Sequence, residues 1–73
     1  MAEKRINDDI KINFELPRLL KNTIEEAEEL DKTGNVEYTA VADAIDVICK
    51  GYVVTGHMTE EQWDIITARY PII

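Results

Sequence analysis

Serine is missing from this 73-residue chain, and cysteine and histidine occur once each, as Cys49 and His57. A single cysteine allows neither an intrachain disulfide nor a cysteine-based zinc site, a usage that suits a reducing compartment. A lone histidine needs a nucleophile or carboxylate to orient it, and the missing serine removes one candidate. Cys49 falls on the same predicted helix face as Ile45 and Ile48, while Lys50 points elsewhere; the thiol reads as a small buried hydrophobe, not a nucleophile. Three isolated glycines make no phosphate-cradling loop. Nothing approaches the run of about 18–20 apolar residues that spans a bilayer, and the charged start Met1-Ala2-Glu3-Lys4-Arg5 lacks the apolar centre of a signal peptide. No enzyme activity and no cofactor are expected, and the chain reads as cytoplasmic.

Positive charge is scarce as well. Eight basic residues face 15 acidic ones, for a net charge of -7. Residues 1–35 hold 9 acids and 6 bases and residues 36–73 hold 6 acids and 2 bases, so neither half hides a basic face. Nucleic-acid affinity comes largely from Lys and Arg displacing counterions at phosphates, and this distribution disfavours nucleic acid and anionic membranes alike. A basic protein partner fits better.

Against these shortages stands an apolar content of 45%, enough for a core, although a chain this short gains only roughly 3–5 kcal/mol of net stability from one. Residues 1–9 mix charges without periodicity and read as a flexible terminus, followed by one helical domain over 10–73. In Ile10-Lys11-Ile12-Asn13-Phe14-Glu15-Leu16 the apolar residues alternate with polar ones, the period-2 pattern of a half-buried strand. Such a strand needs a backbone partner. Three outcomes are open: an extended arm lying on the helices, which is favoured; pairing with Val53 and Val54; or pairing with its copy in a homodimer.

Pro17 suits the first position of helix 1, which runs over 17–32 with Leu16, Leu19, Leu20, Ile24, Ala27 and Leu30 on one face and Gly34 as its stop. Asn35 is the expected N-cap of helix 2, over 36–54, where Tyr38, Val41, Ala42, Ile45, Ile48, Cys49 and Tyr52 recur at three- and four-residue steps. Tyr52 keeps the phase past Gly51, so the helix is carried to Val54 or Thr55 with Gly56 after it, and termination at Gly51 is the alternative. Helix 3, over 60–70, has the clearest start: Thr59 and Gln62 form a capping box, Met58 and Trp63 a hydrophobic staple, and Pro71 ends it. The predicted fold is all-α, a small three-helix bundle in which helix 1 closes the hairpin of helices 2 and 3, with an N-terminal extended arm or short strand.

Three constellations merit weighing. The carboxylates Glu25, Glu26, Glu28 and Glu29 point in different directions around a helix, so they do not converge on a metal ion and suit a basic protein surface instead. Asp31-Lys32-Thr33-Gly34-Asn35-Val36-Glu37 has oxygens at alternate positions like a calcium loop, but Val36 stands where a turn glycine is needed and Ala42 where a bidentate acid is needed. No metal site is expected. The turn at Gly56 has the length of a helix-turn-helix, yet helix 3 opens with Thr59, Glu60, Glu61 and Gln62, whose acids oppose a phosphate backbone. The leading expectation is therefore an acidic protein-interaction module, with homodimer formation a second possibility. Its contact is Glu25, Glu26, Glu28 and Glu29 or the arm residues Ile10, Ile12 and Phe14. A helix-turn-helix-like nucleic-acid-associated protein is the alternative.

Overall fold

The computed structural model describes residues 5–72 and contains three helices: α1 (Arg18–Thr33), α2 (Tyr38–Val54) and α3 (Glu60–Arg69), with no strand among the described residues. The all-α, three-helix reading holds, and residues 10–16 lie as an irregular arm. Pro17 stands one place earlier than expected, at the N-cap of α1 with φ -59 and ψ 149; its carbonyl accepts from the Lys21 N–H at 2.9 Å. Gly34 ends α1 in the left-handed region, φ 71. There its N–H and that of Asn35 reach back to the Asp31 and Leu30 carbonyls, which satisfies two otherwise orphaned acceptors.

Asn35 is not the cap of α2. Its Oδ1 accepts from the Glu37 N–H at 2.8 Å, and its carbonyl accepts from the Tyr38 N–H at 3.1 Å. The side chain closes a turn two residues long, and the helix starts at Tyr38 with no side-chain cap on Glu37. The same Asx chemistry serves either motif. Farther on, α2 passes through Gly51 and ends when the Gly56 and His57 N–H groups bond the Val53 and Tyr52 carbonyls; Gly56 takes φ 81. The capping box of α3 is complete: Gln62 N–H donates to Thr59 Oγ1 and Thr59 N–H to Gln62 Oε1, both at 3.0 Å. Met58 before it is buried, and Trp63 packs on the same core.

Helix α2 is the central element. Its stripe Tyr38, Ala42, Ile45 and Cys49 is fully buried, with α1 packed on it and α3 folded back against it. From α1 come Leu20, Ile24, Ala27 and Asp31, and from the α3 end Ile66 and Tyr70. This stripe on α1 is narrower than its apolar sequence implies: Leu19, one residue and about 100° away from Leu20, is 59% exposed. Trp63 donates from Nε1 to Asp46 Oδ1 at 2.9 Å, tying α3 to α2 through a polar contact at the edge of the core.

Candidate interaction surface

Where the arm crosses between α1 and the end of α3, an open groove of about 590 Å³ remains. Lys11, Ile12, Phe14, Glu15 and Leu16 of the arm line it, together with Lys21, Ile24, Glu25 and Glu28 of α1 and with Arg69 and Tyr70. The arm's alternation sets which side chains pack on the core. Ile12, Phe14 and Leu16 are half-buried on the core while Lys11, Asn13 and Glu15 are exposed. Of the residues singled out from sequence, Ile12, Phe14, Glu25 and Glu28 meet at the groove. Ile10 lies just beyond it, half-buried. Glu26 and Glu29 are exposed on α1 and do not line it.

Glu28 is not a free carboxylate. Its Oε2 accepts from the Tyr70 hydroxyl at 2.8 Å, and that hydroxyl accepts from Arg69 Nε at 3.1 Å. Arg69 also reaches the arm, donating from Nη1 to the Ile10 carbonyl at 2.7 Å and the Asn7 carbonyl at 3.3 Å, with Asp8 Oδ1 3.6 Å from Nη2. The Arg69 carbonyl in turn accepts from the Asn7 N–H at 2.9 Å. Burial, opposed by the Arg69 hydrogen bond and reinforced by Glu28, pushes the Tyr70 hydroxyl up to about 12. One arginine at the last position of α3 thus holds both α1 and the arm.

A second anchor lies on the N-terminal side of the arm, at Arg5 and Ile6, and no sequence pattern announces it. Asp31, 5% exposed, accepts at Oδ1 from the Arg5 N–H (2.9 Å) and Arg5 Nε (3.1 Å) and at Oδ2 from the Ile6 N–H (3.3 Å). The Arg5 guanidinium also donates to the Asn35 carbonyl at 2.9 Å and lies 4.4 Å above the Tyr38 ring. Tyr38, beneath it, donates its hydroxyl to the Pro71 carbonyl at 3.2 Å. Burial raises the Asp31 carboxyl, but the hydrogen bonds from Arg5 and Ile6 and the charge of Arg5 outweigh it and hold the group below its ordinary value. Where the sequence suggests a flexible 1–9, the structure docks Arg5 and buries Ile6 in the core; residues 1–4 lie outside the described residues. Asp31 is also the first residue of the calcium-loop-like run, and it turns inward to this contact.

His57 and the α3 cap have local partners. His57 is exposed in its turn, its Nδ1 2.8 Å from Thr55 Oγ1. Cys49 is fully buried, and burial with the nearby Asp46 charge pushes its thiol up to about 11. At the start of α3, Thr59 and Gln62 spend their side chains on each other, leaving Glu60 and Glu61 exposed beside them. Among the described residues no helix is long and apolar enough to cross a membrane, and no three acidic, histidine or cysteine side chains gather as a metal would require. Comparison with family models, curated proteins and solved structures yields no match.

Proposed function

We propose that this chain is a non-catalytic protein-interaction module of the cytoplasm that presents the outer face of α1, together with the neighbouring arm, to a basic protein. The observation that carries this reading is the state of three carboxylates: Glu25, Glu26 and Glu29 are exposed, and none has an ion-pair partner among the described residues. Unneutralised charge on one helix, in a chain of net charge -7, attracts cationic surfaces over roughly a Debye length, about 8–10 Å in physiological salt. Ile12 and Phe14 line the groove beside Glu25 and supply apolar area that charge alone lacks. Glu28, committed to Tyr70 and Arg69, supports the groove wall instead of meeting the partner.

The test is a triple variant, Glu25→Lys/Glu26→Lys/Glu29→Lys, which leaves Glu28 and the core untouched. A partner captured from native extract binds the unaltered chain more weakly as salt rises, and the variant loses at least about tenfold in affinity with an unchanged circular dichroism spectrum. Affinity indifferent to both salt and charge reversal sinks the proposal.

A further inference from the structure

We infer that residues 11–15 form an antiparallel pair with the same residues of a second copy of this chain, about a two-fold axis through Asn13. This goes beyond the acidic face of α1 and does not depend on it. Among the described residues, no backbone N–H or C=O of residues 11–15 has a hydrogen-bond partner. The neighbouring groups do: the Ile10 carbonyl is held by Arg69, and the Pro17 carbonyl by the start of α1. A short segment is therefore anchored on both sides with its own hydrogen-bonding capacity unspent, next to an open groove. That is the arrangement in which an added strand gains most, because the ordering cost is partly met in advance.

Charge selects the occupant. Antiparallel pairing about Asn13 sets Lys11 opposite Glu15 twice, once on each side of the axis, with Asn13 facing Asn13 between them. On the other face Ile12 meets Phe14 and Ile10 meets Leu16. Every pair matches polar with polar and apolar with apolar, as a self-complementary two-fold interface requires. Neighbouring registers fail. A shift of two in one direction faces Asp9 with Glu15; in the other it sets Lys11 against Pro17, which has no N–H. Single-residue shifts place Ile12 against Asn13 in one direction and against Glu15 in the other. The chain bends at Phe14, and pairing requires that bend to straighten.

Sedimentation equilibrium of the full chain from roughly 10 µM to 1 mM reads the dimer directly. The single variants Lys11→Glu and Glu15→Lys each weaken dimerisation about tenfold, since each turns two cross-strand attractions into repulsions. The double swap restores it to within about threefold. Both side chains are exposed, so circular dichroism stays unchanged. In oxidising buffer Asn13→Cys cross-links to its copy, whereas Lys11→Cys, which faces Glu15, does not. A monomer at every concentration, a dimer indifferent to the single reversals, or Lys11→Cys cross-linking as fast as Asn13→Cys overturns the inference. Loss of partner binding in the α1 triple variant leaves these readouts unmoved, so the two proposals fail separately.

Discussion

Asp31 is the residue that docks the start of the described chain, Arg5 and Ile6. A buried carboxylate is unfavourable unless its oxygens are filled, and here three donors fill them, two of them backbone N–H groups that no other element offers to satisfy. Removing it leaves the Arg5 N–H, the Ile6 N–H and the Arg5 Nε–H without their acceptor. Asp31→Ala is therefore expected to cost about 2–4 kcal/mol in urea denaturation, a large part of the stability of a chain this size. The pH dependence follows from the direction of its shift. A carboxyl whose folded value lies below its unfolded value of about 3.9 contributes stability that is full above the unfolded value and is lost as pH falls through the folded one. The stability gap between the unaltered chain and Asp31→Ala is thus constant from about pH 5 to 7 and narrows below about pH 4. Tyr70 carries the opposite sign. Its hydroxyl, raised to about 12, contributes stability that is complete below about pH 10, the unfolded value, and is lost as pH rises toward 12. Absorbance titration of tyrosinate alongside ellipticity checks this, and Tyr70→Phe flattens the alkaline loss.

At the scale of elements, two glycines with the same open surroundings respond in opposite directions. A Cβ at Gly51 or Gly56 meets nothing within 4 Å, so sterics against neighbours decide neither. Backbone conformation does. Gly51 lies inside α2, where alanine restricts the unfolded chain, so Gly51→Ala raises stability by about 0.5–1 kcal/mol. Gly56 holds φ 81, and alanine there costs about 1 kcal/mol or more. Thermal melts of the two variants flank the unaltered chain. Features of this kind were legible in the sequence because they are local: Thr59 and Gln62, or Gly34 and the carbonyls behind it, find their partners within one helical turn. Asn35 shows the limit even there. Its side chain accepts an N–H two residues on in a cap and in an Asx turn alike, and only the start of α2 at Tyr38 separates them.

Across the whole molecule, what the sequence concealed is what depends on distant partners. Nothing near Asp31 marks it as the acid that turns inward among the charged residues of α1, because its donors lie 25 and 26 residues away. Leu19 is hidden for the same reason: its exposure is set by where α2 lies, not by its own apolar character. The groove at Ile12, Phe14 and Glu25 was half legible, in that the alternation marked the arm and the charge marked α1, but their meeting depends on Arg69. Cys49 gives a probe of the assembled core. Fully buried and with its thiol raised to about 11, it reacts with a thiol reagent at pH 8 only through opening, so its labelling rate tracks unfolding as urea is added and rises in Asp31→Ala.

The contacts of Arg69 with Asn7 and Ile10 span 62 and 59 residues, whereas α1 and α2 are neighbours along the chain. Loop closure sets a timetable from this difference. The α1–α2 pair closes a short loop and assembles early; the arm is latched last, after α3 has brought Arg69 into place, and it is the first piece released on the way out. Amide exchange then reports two classes: the Asn7 N–H exchanging fast through release of the latch, and the buried stripe of α2 exchanging slowly, only when the three helices come apart together.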